Sequence, residues 1–241
     1  NFKHFYLFYV CRELKKEFPN LLSYTRFVER IPRVAIPLLL FLKLGLMGEC
    51  TGITFIDSTR IPVCENKRQS RNRVFKGYAQ KGKSTMGWYY GFKLHLLCNE
   101  RGELLNFALT RANVDDRNPK VFNDLTKDLF GKLYADKGYI SQSLFASLFD
   151  RGVHIVTGIR TNMKNRLMDV HDKIMLRKRS IIETINDMLK NVAQIVHTRH
   201  RSISNFIVNL LAGIAAYAFY DTKPSINMEF EREEKQDVKQ L

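Results

Sequence analysis

The stretch Ile53-Thr54-Phe55-Ile56-Asp57-Ser58-Thr59 sets a single carboxylate inside an apolar run that reads as a β-strand. A buried carboxylate is costly unless something compensates it. Further along, Asp136 ends a second such run in Lys132-Leu133-Tyr134-Ala135-Asp136-Lys137-Gly138-Tyr139. Glu183 lies in Arg179-Ser180-Ile181-Ile182-Glu183-Thr184-Ile185-Asn186-Asp187-Met188-Leu189-Lys190, which reads as a helix. A divalent cation shared by converging carboxylates would compensate all three. Mg²⁺ prefers hard oxygen ligands in octahedral geometry. Two such ions about 3.5–4 Å apart can clamp the attacking and leaving oxygens of a phosphodiester.

The surrounding pattern gives the order of elements. Residues 1–47 read as helical, with Leu14, Phe18, Leu21 and Leu22 at helical spacing and Pro19, Pro32 and Pro37 dividing the segment. Ile53–Val63 is expected as a strand broken at Pro62, followed by a loop to about Gly87. Trp88–Cys98 and Glu103–Arg111 flank the turn Asn99-Glu100-Arg101-Gly102 and predict a hairpin. Asp116 is expected to cap a helix with Pro119 in its first turns, running to about Phe130. Lys132–Ala135 reads as a fourth strand, Ser141–Asp150 as a capped helix stopped by Gly152, and Val153–Ile159 as a fifth strand. The Glu183 helix follows. The order is three strands, helix, strand, helix, strand, helix. The domains expected are a helical region over 1–50, an α/β core over 51–222, and a charged, disordered tail over 223–241.

The order and setting of the three acids resemble the DDE transposases of bacterial insertion sequences, and in particular insertion-sequence family nine-eighty-two. The resemblance runs from about Phe5 to Tyr220, with the acids 79 and 47 residues apart. Lys190 stands seven residues beyond Glu183, as is typical of such enzymes. Arg179, Glu183 and Lys190 fit a Tyr-Arg-Glu-Lys helix pattern found in related transposases, while Leu176 stands where the Tyr would be. The resemblance implies an RNase H-like mixed sheet flanked by helices, three antiparallel strands being extended by parallel ones. It also implies a metal-dependent enzyme that cuts a strand at the element end and joins the freed 3′-hydroxyl to target DNA. Asp57 would bridge two Mg²⁺ ions, with Mn²⁺ able to substitute. Asp136 would bind one ion and Glu183 the other. DNA, a homodimer or higher assembly on DNA, and a cytoplasmic, nucleoid-associated location are implied likewise. Such transposases begin with a further helical region, and a chain opening on Asn1 reads as a piece lacking it.

Composition agrees with a polyanionic partner. The chain carries 39 Lys and Arg against 24 Asp and Glu, a net charge of +15. Arg60, Lys67, Arg68, Arg71, Arg73, Lys76, Lys81 and Lys83 follow the first strand with Glu65 alone opposing them. Phe75, Tyr78, Trp88, Tyr89 and Tyr90 interleave with or follow these cations and could stack on unpaired bases. Arg160–Arg179 is a second basic stretch, and Arg179 and Lys190 could reach a phosphate beside the metals. Cys11, Cys50, Cys64 and Cys98 lack the short spacing of zinc or redox motifs. His197 and His200 lack companions for a zinc site and read as surface or phosphate contacts. The first residues lack the pattern of a signal peptide. Ile203–Tyr220 is long enough for a membrane span, but its apolar positions recur all round, as in a buried core helix, and no membrane is expected.

Plainer readings stand beside these. Asp57 and Asp136 could cap turns, and Glu183 could be an exposed helix residue. The basic loop could be solvated surface. Asp115 and Asp116 read as capping residues, and His95 as a packed strand residue rather than a base. The rival functions are a metal-dependent nuclease of the same fold, a catalytically inactive DNA-binding remnant, and a membrane protein anchored by Ile203–Tyr220.

Overall fold

In the computed structural model, residues 2–158, 168–196 and 200–227 are described. Arg160, Lys164, Arg166, His197 and the tail from residue 228 lie outside the described residues. Short helices α1 (Phe2–Phe5), α2 (Tyr24–Arg30) and α3 (Ala35–Phe41) precede the sheet. Strands β1 (Ile53–Cys64), β2 (Gln80–Ser84), β3 (Gly87–Asn99) and β4 (Leu104–Arg111) follow. The remainder runs α4 (Pro119–Leu125), β5 (Gly131–Ala135), α5 (Gln142–Phe149), β6 (Val153–Thr157), α6 (Val170–Lys178), α7 (Ser180–Asp187) and α8 (Ile203–Ala218).

The sheet order is β4-β3-β1-β5-β6, with β2 paired to the start of β3. Strands β1, β3 and β4 are antiparallel, and β5 and β6 run parallel to β1. This is the order expected of an RNase H-like sheet. Strand β1 is central, so its residues Thr54, Phe55 and Ile56 are buried in succession, both faces being covered. Alternation then sorts the side chains. Phe55, Leu94, Leu96 and Tyr134 join Ile182 and Ile185 of α7 and Leu210 and Ile214 of α8 in one core. Ile56, Leu97, Leu133 and Ala135 join Phe122 of α4 and Leu144 and Leu148 of α5 in the other.

Helix α8 buries most of its residues from Phe206 to Tyr217, leaving a stripe with Ala212 and Ala216 exposed, and the Tyr217 hydroxyl donates to the Gly102 carbonyl at 2.7 Å. It is the core helix its sequence predicts. Among the described residues, no helix is long and apolar enough to cross a membrane. Helix α3 packs against α8, Leu42 beyond it is fully buried, and the Phe41 ring stacks on Phe219 with centroids 6.3 Å apart. Ile226, which the sequence assigns to the tail, is buried, and its N–H donates to the Glu100 carbonyl at 2.8 Å.

Four local expectations need correction. β1 continues through Pro62 to Cys64, because the register shifts there and the missing N–H is accommodated in the irregularity. The loop to Gly87 contains a short 3₁₀ helix, Asn66–Arg71, and the strand β2. Asn118, not Asp116, caps α4, its side chain accepting from the Val121 N–H at 3.3 Å. That helix ends at Leu125, where the Thr126 hydroxyl turns back onto the Phe122 carbonyl, and does not reach Phe130.

Candidate active site

Asp57 lies within β1, and Asp136 lies one residue past the end of the neighbouring parallel strand β5. Phe55 pairs with Tyr134, and each acid lies two residues beyond its member of that pair. Phe55 and Tyr134 share one face of the sheet, and period-two alternation along β1 assigns Asp57 to that face. Helix α7 covers the same face and carries Glu183.

Arg179 links two of the three acids. Its Nη2 lies 2.5 Å from Glu183 Oε1, and its Nη1 3.8 Å from Asp57 Oδ1. Asn186 Nδ2 donates to Asp57 Oδ2 at 2.9 Å. Asp136 is turned onto its own chain, accepting from the Lys137 N–H at 2.7 Å and capping the short turn Lys137–Tyr139. Asp57 and Glu183 are thus brought together through a shared guanidinium, while the Asp136 carboxylate is engaged locally. Among the described residues, no three His, Cys, Asp or Glu side chains gather closely enough to hold a metal ion.

The electrostatics single out Asp57. Burial pushes its carboxyl up to about 6, opposed by Arg179 and the Ser58 N–H and reinforced by the charges of Glu183 and Asp116. One guanidinium at 3.8 Å therefore leaves the desolvated charge under-compensated. Arg179 Nη1 and Asn186 Oδ1 beside it are buried without hydrogen-bond partners. Burial lowers the Lys190 ammonium, and the negative charges of Asp187 and Asp57 act against this. Asp57 and Glu183, with the unpartnered Asn186 Oδ1 beside Asp57, offer hard oxygens of the kind a divalent cation takes.

The basic loop is exposed. Lys67, Arg68 and Arg71 lie on the turn Asn66–Arg71, Arg73 and Lys76 follow, and Lys81 and Lys83 lie on β2. Lys67 pairs with Glu65 at 3.2 Å in full solvent. The aromatic residues divide: Phe75, Tyr89 and Tyr90 are core, whereas Tyr78 and Trp88 are exposed.

Sequence reasoning missed Asn186, although its place three residues after Glu183 puts it on the same helix face. It also missed the role of Asp116, whose Oδ1 pairs with Lys93 Nζ at 2.9 Å and lies 3.8 Å from His95 Nδ1. A lysine on one strand and an acid after the next carry no periodic signal. Asp115 forms a two-pronged pair with Arg117, which holds its carboxyl well below the usual range.

His95 is the packed strand residue its alternation predicts, with Nε2 2.9 Å from Thr110 Oγ1. Burial lowers its pKa from 6.5 to about 4 against the pull of Asp116. The unfolded chain then binds the extra proton between those values, so this contribution to stability is lost as pH falls through the window. At about 1.4 kcal/mol per pH unit the effect reaches at most about 3 kcal/mol. His95→Gln, which can keep the Thr110 contact, is expected to flatten the decline in urea-unfolding stability between pH 6.5 and 4. An unchanged slope would place the acid sensitivity elsewhere.

The strand order is that of the RNase H-like class. Residues 47–203 match the family model described as the transposase DDE domain, and the chain belongs to that family. The match is to the DDE domain in general and does not single out family nine-eighty-two. No curated protein matches the chain. Among solved structures, it is similar to the piggyBac transposase in a synaptic complex with hairpin DNA, at 11% identity and a TM-score of 0.47, over 76% of this chain and 51% of that one. It is similar also to the Mos1 strand transfer complex, at 9% identity and a TM-score of 0.29, over 88% of this chain and 70% of that one. The chain spans about half the length of the piggyBac chain it matches.

Proposed function

We propose that this chain is the catalytic core of a transposase that cleaves DNA at insertion-sequence ends and transfers the freed strand to target DNA. The observation that carries the reading is the meeting of Asp57 on β1 and Glu183 on α7 at one guanidinium, that of Arg179. Membership of the DDE domain family supports it. Asp57, Asp136 and Glu183 are the residues that would hold two Mg²⁺ ions, or Mn²⁺ in their place. Bound there, the ions would activate the nucleophile and offset charge on the phosphoryl oxygens.

The protein's own groups have separate tasks. Asn186 orients the Asp57 carboxylate through its amide N–H. Arg179 neutralises Asp57 and Glu183, and on DNA its guanidinium can turn to a phosphate. Lys190 supplies a second cation close to Asp57. Lys67, Arg68, Arg71, Arg73, Lys76, Lys81 and Lys83 hold the DNA backbone by charge. The chain would act as a dimer or larger assembly on DNA, in the cytoplasm at the nucleoid, with its core over 51–222 and helical region over 1–50. A second reading, a DNA-binding remnant without catalysis, rests on the Asp136 carboxylate being engaged by its own backbone.

The test uses DNA carrying the inverted repeats that flank the encoding gene, with Mg²⁺ or with chelator. Strand release at the repeat ends in Mg²⁺ alone is the expected result. Binding without cleavage would give the remnant reading, and cleavage indifferent to the repeats the nuclease reading.

A further inference from the structure

Trp88 is the only tryptophan of the chain, and it stands 53% exposed on β3. A large ring left in water on a paired strand is unusual enough to ask what covers it. It borders an open groove of about 440 Å³ between β2 and the segment after β4. Lys81 Nζ and Lys83 Nζ lie 5.1 and 5.9 Å from the ring centroid. The acids of the groove are already neutralised: Asp115 by Arg117 at 2.8 Å and Asp116 by Lys93 at 2.9 Å. Among the described residues Lys81 and Lys83 make no ion pair, so the groove presents two cations without acidic partners beside an aromatic ring. Gly138, two residues past Asp136, forms part of the same wall.

We infer that this groove binds one unpaired nucleotide of a DNA strand, its base against Trp88 and its phosphate between Lys81 and Lys83. The inference rests on the transposase reading and adds a subsite to it. A base within a duplex has both faces covered by its neighbours, whereas an unpaired base offers a face to an aromatic ring. Such stacking is worth about 1–3 kcal/mol per base and tolerates any sequence. Two lysines without acidic partners meet the accompanying phosphate as point charges. The groove is open rather than enclosed, which suits a nucleotide that continues into a strand. Its wall at Gly138 sets it beside the Asp136 turn, where a strand leaving the candidate site would run.

With one tryptophan in the chain, fluorescence excited at the red edge, where tyrosine does not absorb, reports on this groove alone. The probes are a blunt DNA duplex and the same duplex with a short single-stranded extension. The extended duplex is expected to quench the fluorescence and the blunt one to leave it nearly unchanged. Trp88→Ala is expected to weaken the extended duplex about 5- to 150-fold, in line with about 1–3 kcal/mol of stacking, with the blunt duplex affected less than about twofold. Trp88→Phe should restore most of the loss, which a merely structural role would not require. Equal quenching by the two DNAs, or equal weakening of both by Trp88→Ala, would overturn the inference while leaving DNA binding by the core intact. Failure of the wild-type chain to bind either DNA would remove the transposase reading and this subsite with it.

Discussion

Asp57→Ala is expected to abolish Mg²⁺-dependent cleavage while leaving DNA affinity unchanged or raised. Losing several kcal/mol of charge stabilisation at the phosphoryl group corresponds to a rate loss of about a thousandfold or more. Affinity should hold because the substitution removes a negative charge from beside Arg179 and Lys190, both suited to phosphate. A companion, Asp57→Asn, should raise stability at neutral pH. The folded carboxyl sits at about 6 instead of 3.8, so the folded state favours the proton, and stability falls as pH rises through that window. Above it the ionised, mostly buried group destabilises by at most about 3 kcal/mol, which the amide would not. Cleavage assays and urea unfolding at pH 7 check the two halves. Near wild-type cleavage by Asp57→Ala would remove the catalytic assignment.

Replacing Lys67, Arg68, Arg71 and Arg73 together with Ala is expected to flatten the salt dependence of DNA affinity by up to about four units in log–log slope. Each cation that neutralises a phosphate releases counterions, so the slope counts contacts. All four are exposed, and Glu65 is the acid that opposes them, through Lys67. Weakening should be similar for matched and unmatched DNA, because phosphate contacts position the duplex and carry little sequence information. Binding measured across a salt series checks this. An unchanged slope would make the loop a solvated surface and shift the DNA track toward Arg160–Arg179.

What the sequence conveyed was whatever periodicity can carry. The run from Ile53 is apolar on both faces, and a central strand is what that pattern means. Trp88–Cys98 and Glu103–Arg111 announced their hairpin through the turn between them. Strand β2 was invisible because Gln80-Lys81-Gly82-Lys83-Ser84 has no apolar residue, and it is a strand by pairing with β3 alone. Asp116 looked like a cap from its position before Pro119, but a lysine on β3 claims its side chain. At the site, the acids could be named from their settings. The nearness of the first two could not, since it follows from the pairing of β1 with β5, which brings together acids 79 residues apart. The same holds for Asn186 and for Arg179 standing between two acids, which depend on how α7 lies across the sheet.

The central claim is that Asp57, Asp136 and Glu183 serve one metal site. Fe²⁺ in place of Mg²⁺, with peroxide, generates hydroxyl radicals that cut the polypeptide near the bound ion. In the DNA-bound protein, cuts are expected in all three segments at once, around Asp57, Asp136 and Glu183. Excess Mg²⁺ and Asp57→Ala should each suppress all of them. Cuts confined to one segment, or cuts that persist in Asp57→Ala, would contradict a shared site.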